Sequence, residues 1–231
     1  MKLKNQQEAA MFIAIEGMDG SGKSTQIELL RQKLTDTHNS VLITREPGGT
    51  PIGEKIREIL LAPENIKMSV RTEALLYAAS RAQHIDEVIE PALAAGKIVI
   101  TDRYVASSYV YQGIARELGL DPVRKINEFA IRGRMPDLTI FLFVSQEKAI
   151  QRKKAQKELD RLEAESMSFH NRVNQGFRDL AESYQYPKVI INTDQDAQSV
   201  HREIWLAVTE RLNMNKKTQS AGAKISKEAE E

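Results

Sequence analysis

Met11-Phe12-Ile13-Ala14-Ile15-Glu16-Gly17-Met18-Asp19-Gly20-Ser21-Gly22-Lys23-Ser24 is the stretch that decides the fold. Its first part is apolar up to Glu16, as a strand buried on both faces should be. Residues 17–24 then match the spacing G-x-x-x-x-G-K-[ST], and Thr25 leads into a helix on which Ile27, Leu30 and Leu34 fall on one face. A strand before and a helix after is the context this pattern requires. Gly17, Gly20 and Gly22 allow backbone angles and close approaches that a Cβ would forbid. The N–H groups of the loop, from Gly17 and Met18 through Asp19, Gly20, Ser21 and Gly22, can then cradle phosphate oxygens, backed by the positive end of the helix. Lys23 can reach the β- and γ-phosphates, and the Ser24 hydroxyl can serve Mg²⁺. The reading so far is a nucleoside triphosphate site, with the acceptor undefined.

Outward from this stretch, short β-branched runs at 41–44, 98–101, 138–144 and 189–191 alternate with helical patterns. The alternation predicts an α/β fold: a five-stranded parallel sheet with helices on both faces. One helix is predicted over 71–95, ending at Gly96. Another follows the stripe Leu162, Phe169, Val173, Phe177, Leu180, Tyr184. Residues 1–10 read as a mobile segment, 11–212 as one domain, and 213–231 as a polar, disordered tail. The chain has 231 residues, 41% of them hydrophobic, which suffices for a real core and excludes global disorder. A net charge of +1 gives no bulk attraction to nucleic acid or a membrane surface. With no cysteine there is no disulfide, thiolate nucleophile or cysteine metal site, which fits a reducing cytoplasm. No signal-like segment or membrane-length apolar run occurs, so a soluble protein is expected.

Three constellations sit at the C-terminal ends of later strands, where open α/β sheets bind ligands. Arg45-Glu46-Pro47-Gly48-Gly49 forms a sharp turn that leaves Arg45 and Glu46 at the rim beside the phosphate loop. Asp102 ends a buried strand, from where a carboxylate can hold Mg²⁺ directly or through water. Arg103 beside it offers a planar fork suited to a monophosphate, although an Asp-Arg pair can also be a structural salt bridge. Tyr77 and Arg81, one helical turn apart, can stack on and hydrogen-bond a base, or can simply pack at a surface.

Taken together, residues 17–24, 45–49, 76–84 and 102–113, with Glu158-Leu159-Asp160-Arg161-Leu162-Glu163, resemble the bacterial thymidylate kinases over roughly residues 11–212. That resemblance implies transfer of the γ-phosphate of ATP to dTMP, a step towards dTTP, with Mg²⁺, in a cytoplasmic homodimer. It implies that Tyr77 stacks on the base, Arg81 reads its edge, and Arg103, with Arg45 nearby, takes the acceptor phosphate. Ser107, Ser108, Tyr111 and Gln112 become the sugar and base wall, with Tyr111 crowding a ribose 2′-OH. Asp19 becomes the loop carboxylate between the two phosphates. Some relatives carry Asn where Ser108 stands, and many have an Arg-Gly pair where this lid, about residues 148–163, has Gln156-Lys157. The lid cation therefore stays open among Arg152, Lys153, Lys154, Lys157 and Arg161, with Arg161 the retained lid arginine. Other kinases of small acceptors, and a regulatory ATPase built on the same loop, are the competing readings.

Overall fold

The structure, a computed structural model, describes residues 10–153 and 160–228. Residues 1–9 of the segment expected to be mobile lie outside them, as do Lys154, Gln156 and Lys157 of the lid. Strands β1 (Met11–Glu16), β2 (Val41–Arg45), β3 (Ile98–Asp102), β4 (Leu138–Phe143) and β5 (Lys188–Asn192) form the sheet, each where an apolar run predicts it. Their order is β2-β3-β1-β4-β5, and every pairing is parallel.

Side chains alternate across the sheet and sort into two clusters. Phe12, Ala14, Val99, Phe141 and Phe143 pack on one face. There they meet Ile85 and Ile89, which follow α3 (Val70–His84), together with α5 (Val105–Ser108), α6 (Leu120–Ile131) and α8 (Met167–Ser183). Met11, Ile13, Ile15, Ile98, Ile100, Ile140 and Leu142 face the other way, against α1 (Lys23–Asp36) and α9 (Ala197–Glu228). The chain fills one side of β1 with β3 and β2 and then crosses to fill the other with β4 and β5. That change of side opens a crevice at the C-terminal ends of β1 and β3, the position where such sheets bind ligands.

Departures from the sequence reading have local causes. The helix expected over 71–95 is α3, then a π-helical turn at Ile85–Ile89, then α4 (Glu90–Ala94). Pro91 has no N–H to give and crowds the carbonyl of the preceding turn, which favours a wider turn ahead of it. Gly96 follows at φ +77° and closes the rod as expected. A second π-helical stretch, Tyr109–Ala115, continues α5. The polar stretch expected to be a disordered tail is helical to Glu228 as the end of α9. Its Lys, Ala, Gln and Met residues are good helix formers, and they extend a helix already seated through Val200, Ile204, Val208 and Leu212. The remaining helices are α2 (Pro51–Leu61) and α7 (Gln146–Lys153). Among the described residues no helix is long and apolar enough to cross a membrane.

Candidate active site

Gly17 leaves β1 at φ +144°, and a Cβ there would lie 2.4 Å from the Leu142 carbonyl oxygen. Gly20, at φ +80°, is also tightly covered, since its Cβ would meet the Ala149 carbonyl oxygen at 3.0 Å. The loop therefore lies directly against β4 and α7, and only glycine fits at either point. Lys23 opens α1 with its Nζ donating to Gly17 O at 3.2 Å and Met18 O at 3.3 Å. Burial, and then the charge of Arg103, lowers its pKa, against the pull of Asp102, Asp19 and Glu16. Gly20 to Thr25 line a large cavity with Asp19, Arg45, Asp102 and Arg103. Its wall also includes Arg152, Thr193, Gln195, Ala197 and Val200. Arg152 bridges this wall, donating to Gly20 O at 3.1 Å and Thr193 O at 3.0 Å.

A second cavity opens beside the first. Asp19, Tyr77, Arg81, Arg103, Ser107, Ser108, Tyr111 and Gln112 all line it. Of the residues expected to bind the acceptor, Arg45 alone lies elsewhere: it lines the first cavity and pairs with Glu54 at 2.9 Å. Arg81 is buried, with Nε on Glu46 Oε2 at 2.7 Å, Nη1 on Ser108 Oγ at 3.0 Å and on Asn127, and Nη2 on Tyr104 O at 3.2 Å. Glu46 is thus no rim residue; it is buried between Arg81 and His84, whose Nδ1 lies 3.0 Å from its Oε1. Tyr111 is held edge-on to Phe177 and tilted against Phe169. Tyr77 is partly exposed overall, while burial around its hydroxyl, and then Glu73, pushes its ionisation upward.

The two cavities share Asp19, Glu46, Arg57 and Arg103. At that junction Arg103 Nη2 donates to Asp19 Oδ1 at 2.8 Å and Nη1 to Ser107 Oγ at 3.2 Å. Its guanidinium carbon lies 5.3 Å from the centre of the Tyr111 ring. Arg57, held on Pro47 O at 2.9 Å, is a second guanidinium facing both cavities. Sequence reasoning missed it, because an arginine on an amphipathic helix carries no local signal. Thr193 and Gln195 were missed for the same reason, lying beyond a strand with no motif of its own.

Arg161 lines neither cavity. It is 2% exposed and donates to Glu73 Oε2 at 2.8 Å and Leu60 O at 2.7 Å. The side chain of Lys153 is not among those described. For Mg²⁺ the test is the donor set. Asp102 Oδ1 is buried without a hydrogen-bond partner, and Asp102 and Ser24 line the same cavity. Among the described residues no group of three or more His, Cys, Asp or Glu could hold a metal. One carboxylate and one hydroxyl fit a hydrated Mg²⁺ that takes its other ligands from water and phosphate.

A thymidylate kinase family model matches residues 15–204 of this chain. The chain is 48% identical over 198 residues to the thymidylate kinase of Halothermothrix orenii, covering 84% of this chain and 94% of that one. It is 48% identical over 204 residues to that of Finegoldia magna, covering 88% and 100%. The crystal structure of thymidylate kinase from Ehrlichia chaffeensis superposes with a TM-score of 0.70 at 32% identity, covering 87% of this chain and 99% of that chain.

Proposed function

The chain belongs to the thymidylate kinase family, and we propose that it transfers the γ-phosphate of ATP to dTMP, giving dTDP and ADP. One observation carries this reading: a cavity lined by the phosphate loop and a cavity lined by aromatic and amide side chains meet at Asp19 and Arg103. ATP occupies the first, with its phosphates on the N–H groups of the loop and on Lys23. dTMP occupies the second, with Tyr77 against the base. Arg81 Nη2 carries a second N–H beyond the one given to Tyr104 O, and it can meet a base carbonyl. Tyr111, braced by Phe169 and Phe177, stands where it can refuse a 2′-hydroxyl.

Phosphoryl transfer depends on positioning and on neutralising charge. Arg103 at the shared wall holds the acceptor phosphate in line with the γ-phosphate, and Arg57 adds positive charge from the opposite helix. No base is required, because the attacking phosphate oxygen is already anionic near neutral pH. Ser24 and Asp102 Oδ1 would hold Mg²⁺, which would supply positive charge against the donor phosphates. Arg152 joins the phosphate loop to the donor wall, which favours it as the lid cation that meets the triphosphate. Closure of the lid over ATP excludes water and limits hydrolysis. A cysteine-free chain of this kind fits the cytoplasm. A homodimer fits the apolar side chains exposed on α3 and α6, where Leu75 is 56% and Phe129 88% exposed.

Steady-state kinetics of two variants tests the division of labour. Lys23→Ala should lower turnover by orders of magnitude with the fold intact. Arg103→Ala should raise KM for dTMP far more than KM for ATP. Equal losses for both substrates in Arg103→Ala would contradict its assignment.

A further inference from the structure

Glu16 is the only charged residue of β1, and its side chain is fully buried. It lines neither cavity. By the alternation of the strand it faces the same side as Phe12 and Ala14, under the turn that follows β3. Its Oε1 accepts from Tyr104 N at 2.8 Å and Ser107 N at 3.2 Å, so it caps the first turn of α5 from another strand. Tyr104, the cap position itself, supplies no side-chain capping bond. Glu16 Oε2 accepts from Ser107 Oγ at 2.6 Å. That fixes the hydroxyl: its proton goes to Glu16, and a lone pair is left to accept from Arg103 Nη1 at 3.2 Å.

Arg103 needs such support. Its φ is +70°, in the left-handed region that costs a non-glycine residue free energy and persists only where its surroundings over-determine it. Its N–H donates to Ile15 O at 3.0 Å, and its carbonyl accepts from Thr101 Oγ1 at 2.9 Å. The next N–H, that of Tyr104, ends on Glu16. The carboxylate thus closes the strained turn on the main chain and aims the guanidinium through Ser107.

We propose that Glu16 is a positioning residue for the acceptor phosphate, holding residues 103–107 so that the Arg103 guanidinium faces the junction of the two cavities. The proposal rests on the reading that Arg103 binds that phosphate. It separates two ligands that share a base and a sugar: dTMP reaches Arg103, and thymidine, which has no phosphate, does not.

The test is equilibrium binding of dTMP, thymidine and ATP to the full chain and to Glu16→Gln, Ser107→Ala and Arg103→Ala. Glu16→Gln should weaken dTMP on the order of 10- to 100-fold, since a displacement of roughly 1 Å in a positioning group costs up to the latter. Ser107→Ala should weaken it less, and thymidine and ATP should bind Glu16→Gln, which lines neither cavity, as they bind the parent. Unchanged dTMP affinity in Glu16→Gln and Ser107→Ala, beside a clear loss in Arg103→Ala, overturns the proposal alone. Equal losses of dTMP and thymidine in Glu16→Gln overturn it too, by showing general damage. Should Glu16→Gln fail to fold, Glu16→Asp, which keeps the carboxylate but shortens its reach, decides by the same comparison. If Arg103→Ala itself does not separate dTMP from thymidine, the acceptor assignment falls first and the proposal with it.

Discussion

Burial raises the Glu16 carboxyl to about 7, against the bond from Ser107, the charge of Arg103 and the two main-chain N–H groups. The charged and titratable groups coupled to it are Arg103, Lys23, Tyr111 and Tyr184. Since the folded pKa lies above the ordinary value of 4.5, the folded state holds this proton longer than the unfolded chain does. The associated stability is fully present below pH 4.5 and is lost as the pH rises through about 7. The whole loss is on the order of 3 kcal/mol. Melting temperatures from pH 4.5 to 8 should therefore fall more steeply for the parent chain than for Glu16→Gln; parallel curves would contradict the assignment. At this scale the sequence was legible where a motif concentrates chemistry. Lys23, Arg103 and Tyr111 stand in recognisable runs. The partners that hold them are far along the chain. Arg81 takes Glu46 and Asn127, and Ser107 takes Glu16, across separations that no local pattern encodes.

The strands are the elements sequence reads most directly, because a strand buried on both faces must be apolar throughout. The lid is harder, and its root shows why. Arg161 follows a lid segment that reads as a solvated basic run, yet it is buried against Glu73 of α3 and the last turn of α2. Glu73 in turn holds Gln112 at 2.9 Å and Arg116 at 3.2 Å, and Arg116 reaches Glu165 at 2.5 Å. This buried cluster ties the lid root to the helix that carries Tyr77 and to the wall that carries Gln112. Arg161→Ala would leave the Glu73 carboxylate with Arg116 and Gln112 only, and losing one hydrogen bond to a buried charged group costs about 1.5–3 kcal/mol. Chemical denaturation should show a loss of that size. A stability unchanged in Arg161→Ala would mean that the cluster anchors nothing. The π-helical turns and the length of α9 were not legible, since both follow from how a helix is already seated, not from its own periodicity.

For the whole molecule, the parallel order β2-β3-β1-β4-β5 brings the ends of β1, β2 and β3 into one crevice, and each end contributes a motif. That convergence, more than any single residue, joins the glycine-rich loop to the wall that carries Tyr77 and Tyr111. The same architecture leaves Leu75 and Phe129 exposed on neighbouring helices away from the crevice. If these cover each other's copies in a homodimer, Leu75→Asp with Phe129→Asp should sediment as a monomer while the parent chain sediments as a dimer. A parent chain that is monomeric at micromolar concentration would contradict the dimer. The most direct measurement is ADP release from Mg·ATP in the presence of dTMP, dUMP, ribothymidine monophosphate, dGMP, dCMP or shikimate. Turnover with dTMP well above every other acceptor is expected; hydrolysis that no acceptor stimulates would contradict a kinase acting on dTMP.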